Sequence, residues 1–243
     1  MTTAILPTRR DEAWRYADID AVAAAWPLPA PESIMVPAGG SFARAIVQDA
    51  GDIRQIDLTL GKGAVAKLHV LNIGGAYGRI EMNVTLHEGA DFTLGAVQIG
   101  GGEQTLEIVT TVTHAEPGAT SRQVVRSVLA GTATGTYLGK VAVARDAQAT
   151  DSAQDVKAML LTRSATANAK PELEIFADDV KCAHGCAIGE LDAEALFYLQ
   201  SRGMPPAEAK KILLQAFVAG VFDGAEDEAR LQELALAKLG ELV

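Results

Sequence analysis

The chain has 243 residues, 49% hydrophobic but only 5% aromatic, and a formal net charge of −10. That balance excludes the basic footprint of a nucleic-acid binder, and no apolar run approaches the ~20 residues that span a bilayer. Its two cysteines make no disulfide framework, and the opening MTTAILPTRRDEAWRY lacks the apolar core of a secretion signal, so the expectation is a reduced, cytoplasmic protein.

Three textures follow along the chain. Residues 1–31 read as a short N-terminal helical lead. TRRDEAWRYADIDAVAAAW suits a helix opened by Thr8 and anchored by Trp14, and PLPAPES ends it by withdrawing backbone donors. Residues 32–190 read as a β core of short runs with period-two alternation, among them AVAKLHVLNIGG and QTLEIVTTVTH, separated by turn residues. A Gly-Ala pair recurs at the turns, as Gly63-Ala64, Gly89-Ala90 and Gly118-Ala119, spaced 26 and 29 residues apart. Repetition at that period signals stacked coils, each burying its face only against its neighbours. A β-sandwich would instead use hairpins with Asn-Gly or Asp-Gly turns. The β core has neither dipeptide, so the pattern favours a parallel β-helix over the sandwich.

Residues 191–243 are helical in texture. Asp192 is a good N-cap for AEALFYLQSR, and Gly203 a good residue just past its end. Pro205 and Pro206 sit where a second helix begins, with Ile212, Leu213, Ala216, Phe217 and Val221 at helical spacing. A third helix follows Gly224. This tail has too much apolar surface to stand alone, so it packs on the β core or on a partner. The acidic patch DGAEDEARLQE within it reads as a solvated helix face.

The chemistry-bearing stretch is DDVKCAHGCAIGEL, residues 178–191, which holds both cysteines and a histidine. On a strand, residues i, i+2 and i+4 share a face, so Cys182, His184 and Cys186 form one row. Thiolate and imidazole suit zinc, iron or an iron–sulfur cluster. Structural zinc wants four ligands, however, and one chain offers at most three here, about 6–7 Å apart. A Cys-His catalytic pair is the second reading, and no orienting group or oxyanion hole stands beside it. The third is plain packing, with cysteine as a small hydrophobe. His69, His87 and His114 are isolated. GTATGTYLGK fails as a phosphate loop, because Val141 replaces the magnesium-binding hydroxyl, so no nucleotide site is expected.

Residues 170–222, KPELEIFADDVKCAHGCAIGELDAEALFYLQSRGMPPAEAKKILLQAFVAGVF, resemble the C-terminal signature of the SufB/SufD family of iron–sulfur cluster assembly proteins. LPTRRDEAWRYADI resembles the N-terminal signature of the family's SufD branch, and ATDSAQDVKAMLLTRSATANAKPELEI its last core coils. The resemblance implies a mainly β protein: a right-handed parallel β-helix with short helical segments at both ends. It implies pairing with a SufB-like subunit through the β-helices and docking of the SufC ATPase on the C-terminal helices. It implies no turnover chemistry on this chain, with ATP handled by SufC and a transient iron–sulfur cluster shared with SufB. The CAHG positions match the family's Cys-x-His-Gly, which makes His184 the first candidate ligand and Cys182 the second. Cys186 departs from the pattern and reads as packing or a third ligand. Phe197, Tyr198, Arg202 and Phe217 are the candidates for docking or tail packing. The helical lead looks shorter than is usual in the family. A pair of identical copies stays open beside the SufB pairing. No residue locates a site for a flavin on the complex. Two rival readings also remain: a self-contained Cys/His metalloenzyme, and a purely structural β-helix adaptor.

Overall fold

A computed structural model describes residues 5–243; the first four residues of the lead lie outside the described range. Among the described residues, twelve strands alternate between two sheets. The odd-numbered strands, β1 (Glu32–Val36), β3 (Ile53–Leu60), β5 (Tyr77–Leu86), β7 (Thr105–His114), β9 (Thr134–Val143) and β11 (Thr166–Ile175), form one sheet in that order, and the even-numbered strands, β2 (Ser41–Gln48), β4 (Val65–Asn72), β6 (Asp91–Gly100), β8 (Thr120–Leu129), β10 (Thr150–Leu160) and β12 (Val180–Glu190), form the other. Every pairing is parallel, so the chain winds as a β-helix, as the Gly-Ala periodicity predicts.

Winding converts sequence repetition into columns of like residues. On the odd sheet, Ile34, Leu58, Val84, Val112, Val141 and Leu173 are register partners from coil to coil. On the even sheet, Ile46, Val70, Ala96, Val125 and Val156 stack in the same way. The two inner faces meet in one apolar core, which also holds Leu68, Phe92 and Leu94. Aliphatic columns of this kind suit a thin two-sheet interior, which explains why so few aromatics suffice.

The corner before each of the first five even strands takes a left-handed residue. Gly39, Gly63, Gly89 and Gly118 occupy it at φ of +66, +62, +65 and +72°. Each donates its N–H to the next coil, for example Gly63 to the Glu88 carbonyl at 2.8 Å. The alanine after each of the last three turns inward and is fully buried. In the next coil the same place falls to Ala149, the one non-glycine residue with positive φ among those described, at +58°.

The lead differs from the single helix expected. Asp18 accepts hydrogen bonds from the N–H groups of Asp20 and Ala21 and starts a short helix α1, Ile19–Ala24. Among the described residues, a single 3-10 turn, Glu12–Trp14, precedes it. Trp14 serves as the anchor: its ring lies 3.9 Å from the guanidinium of Arg79, which is buried and paired with Glu107 at 3.1 Å.

The tail comprises α2 (Ala193–Ser201), α3 (Pro206–Val218) and α4 (Glu228–Gly240). The Asp192 cap, the positive φ of Gly203 and the Pro206 start are as the sequence predicts. Helices α3 and α4 lie on the outer face of the even sheet. Leu214, Val218, Leu231, Ala235 and Leu239 pack there against Leu71, Val97, Ile99 and Val128. The buried face of α3 is therefore rotated from the expected one: Ile212 and Ala216 face solvent, while Val221 and its neighbour Phe222 are buried. Gly95 permits the close approach, because a Cβ there would overlap the Val221 carbonyl.

Candidate functional site

The row Cys182, His184, Cys186 lies on β12, the edge strand of the even sheet. Register fixes its direction. Cys182 pairs with Ser152, His184 with Gln154 and Cys186 with Val156, all on β10 (Thr150–Leu160). Ser152, Gln154 and Val156 belong to the inner columns, so the three ligand-type side chains share the lumen-facing side, as strand alternation predicts. The coil is the last one, and no further coil covers the row. Cys182 is half-buried and packs against the core, whereas His184 and Cys186 are exposed.

The columns beneath the row change character towards it. Below Cys182 the sequence of partners is Phe42, Ala66, Phe92, Ser121, Ser152. Below His184 it is Arg44, Leu68, Leu94, Gln123, Gln154. Ser121, Ser152, Gln123 and Gln154 make the last two coils before the row polar, where the two coils below them carry Ala66, Phe92, Leu68 and Leu94. Ser121 and Ser152 hydrogen-bond at 2.8 Å, and His114 Nε2 meets Ser121 Oγ at 2.9 Å. Gln123 Oε1 accepts from Tyr137 at 3.2 Å, and Gln154 Nε2 donates to the same phenolic oxygen at 3.4 Å. Gln123 Nε2, Gln154 Oε1 and His114 Nδ1 are buried without a partner. Unpaired buried polar atoms cost about 1–3 kcal/mol each, so this polar floor is not a packing convenience. The isolated look of His114 in the sequence concealed its place there. Only the register, which sets Ser121 beside Ser152, brings these residues together.

Burial raises both thiols. For Cys182 the neighbouring Asp151 carboxylate adds to the rise and a backbone hydrogen bond at Ser152 opposes it. Burial alone raises Cys186. Thiols held protonated in this way are poor nucleophiles until a metal or a base takes the proton. Among the described residues, no group of three His, Cys, Asp or Glu side chains could hold a metal ion. The row by itself therefore completes no metal site.

The other candidates separate by position. Phe197 and Tyr198 stand on α2 at 72% and 56% exposure, and no residue of that helix is buried. The Arg202 guanidinium lies 5.2 Å from the Tyr198 ring. Phe217 instead is half-buried in the tail contact, with Arg126 5.9 Å from its ring. Among the described residues, no helix is long and apolar enough to cross a membrane.

Comparison with known proteins gives concordant matches. A family model described as "SUF system FeS cluster assembly, SufBD core domain" matches residues 43–217. The iron–sulfur cluster assembly protein SufD of Escherichia coli is 31% identical over 186 residues, covering 76% of this chain and 44% of the relative. An iron–sulfur cluster assembly SufBD family protein of Synechocystis is 33% identical over 180 residues, 72% of this chain and 40% of the relative. Protein ABCI7, chloroplastic, of Arabidopsis thaliana is 38% identical over 122 residues, 50% of this chain and 26% of the relative. The chain spans less than half the length of each of these relatives.

Proposed function

This chain belongs to the SufB/SufD family of iron–sulfur cluster assembly proteins, and from that premise we propose that it is a non-catalytic scaffold subunit of the assembly complex. It pairs with a SufB-like subunit through the open end of its β-helix. It holds the SufC ATPase on its C-terminal helices, and it offers His184 and Cys182 to the nascent cluster. The complex works in the cytoplasm, and ATP is bound and hydrolysed by SufC alone.

The observation that carries this reading is the row on β12. An unpaired strand edge is a ready template for another chain, and the ligand-type side chains sit on that edge. An incomplete ligand set at an open edge is what a shared site requires, since a partner supplies the missing donors. The polar floor of Ser152 and Gln154 beneath Cys182 and His184 supports the same reading, because second-layer hydrogen-bonding groups orient metal ligands. Phe197 and Tyr198 support α2 as the SufC surface, since exposed aromatics beside an arginine make strong interface anchors. Phe217 belongs to tail packing in this reading, and Cys186 is not needed by it.

The test is reconstitution with SufB-like and SufC-like subunits, measuring iron and sulfide per complex. His184→Ala should leave the complex assembled and cut cluster loading at least tenfold, since even the outer groups that hold metal ligands are worth about 10–100-fold in affinity. Full loading in an intact complex would reduce the row to packing and the chain to an architectural adaptor.

A further inference from the structure

We infer that Gln154 and Tyr137 are positioning residues for His184: Gln154 Oε1 accepts the N–H of the His184 imidazole, and Tyr137 holds the Gln154 amide so that this oxygen faces the last coil. The inference deepens the reading of His184 as a cluster ligand and rests on it for its purpose, not for its geometry.

Winding stacks the parts. Gln123, Gln154 and His184 follow one another in one inner column of the even sheet. Across the lumen, Ile108, Tyr137 and Ala169 form one column of the odd sheet, and Thr110, Gly139 and Pro171 form the next. Tyr137 is buried and leans along its strand over Gly139. A Cβ at Gly139 would lie 2.3 Å from the phenolic oxygen, so glycine leaves the ring its place. The hydroxyl thereby meets three partners: Thr110 Oγ1 at 3.0 Å, Gln123 Oε1 at 3.2 Å and Gln154 Nε2 at 3.4 Å.

Proton bookkeeping then orients the Gln154 amide. Thr110 Oγ1 also lies 3.2 Å from Gln123 Oε1. Two hydroxyl protons serve the three contacts within the triangle of Thr110, Tyr137 and Gln123, and none is left for Gln154. Burial pushes up the Tyr137 pKa, so the phenol keeps its proton. The amide therefore presents its NH2 end to Tyr137 and turns Oε1 away. That oxygen is buried and unpartnered. Gln123 Nε2, the donor one coil below, is unpartnered too, so the two amides do not close on each other. The next side chain in the column is His184, one strand spacing of about 4.8 Å above. β11 brings no competing donor, since it turns Ala169 and Pro171 inward there. His184 is exposed, and its ring turns onto the oxygen without moving the backbone. The pairing satisfies a buried acceptor and selects one tautomer. The nitrogen facing Gln154 carries the proton, and the other keeps its lone pair for a metal.

The test uses the chain alone, labelled with 15N-histidine, and reads the imidazoles by long-range 1H–15N NMR at about pH 8, where histidine is neutral. His184→Gln assigns the signals by their loss. Wild type should hold His184 in one dominant tautomer. Gln154→Met keeps the side-chain length and removes the acceptor. It should shift the tautomer ratio about threefold to tenfold, the span of one hydrogen bond. Gln154→Glu keeps an acceptor and should restore the wild-type ratio. Tyr137→Phe should shift the ratio in the same direction as Gln154→Met. A folded Gln154→Met with the wild-type ratio would overturn the proposal. A Gln154→Glu that behaves as Gln154→Met would also overturn it, by assigning the shift to packing. A Tyr137→Phe with the wild-type ratio would overturn the part given to Tyr137. No iron, cluster or second subunit takes part, so failure here is separate from any failure of His184 in the assembled complex.

Discussion

Acid should weaken this β-helix through His114, and the size of the effect follows from its place in the core. His114 sits in the inner column between Leu86 and Val143 and is fully buried. Burial lowers its pKa from the ordinary 6.5 to about 4, against a backbone hydrogen bond at Ala119 that favours the charged ring. The folded protein therefore holds this ring neutral where the unfolded chain protonates it. The resulting stability is complete above pH 6.5 and is lost as pH falls through 4. At about 1.4 kcal/mol per pH unit, the full contribution is on the order of 3 kcal/mol. His69 is lowered in the same direction, mainly by burial, and adds to the slope in wild type. The perturbation is His114→Val, which matches the β-branched Val143 of its own column. Urea unfolding between pH 7 and pH 4 gives the measurement. The wild type should lose on the order of 3 kcal/mol more than the variant across that range. Parallel pH profiles for the two proteins would refute the buried, neutral assignment of His114.

Other expectations follow from single positions. Ala149→Gly should stabilise by about 0.5–1 kcal/mol, since left-handed backbone costs alanine roughly 1–2 kcal/mol and glycine returns part of that through chain entropy; a lower melting midpoint would contradict the corner assignment. Leu94→Ala, at a fully buried core position, should cost about 2–5 kcal/mol in chemical denaturation. Gly95→Ala should loosen the tail from the even sheet, seen as faster hydrogen exchange in α3 and α4 with the β-helix still protected. Phe197→Ala should leave the melting midpoint unchanged while weakening capture of a SufC-like ATPase at least tenfold, as expected of an exposed aromatic anchor.

Much of the architecture was legible because a β-helix writes its winding into the chain. Gly63, Gly89 and Gly118 recur because each coil needs a left-handed corner at the same height. Ala149 hid the next corner, since alanine carries no turn signal. The row Cys182, His184, Cys186 was legible through strand alternation alone, which needs no knowledge of neighbours. The polar floor beneath it was not, because Ser121 and Ser152 become adjacent only through a coil-to-coil register that composition does not specify. The face of α3 was misread for a related reason. Both sides of that helix carry apolar residues, and the outer face of the even sheet, with Gly95 at the contact, selects Leu214 and Val218 over Ile212 and Ala216. Asp18 shows the local counterpart: its side chain caps a new helix inside a stretch that otherwise reads as one.

The proposed role of His184 as a ligand of a cluster at the β12 edge has a direct test. The direct measurement is pulsed EPR on the reduced cluster of the reconstituted complex, with this chain alone carrying 15N-labelled histidine. Ligation by His184 predicts a 15N coupling of directly bound imidazole that disappears in His184→Gln. A fully loaded cluster with no such coupling in wild type would contradict it.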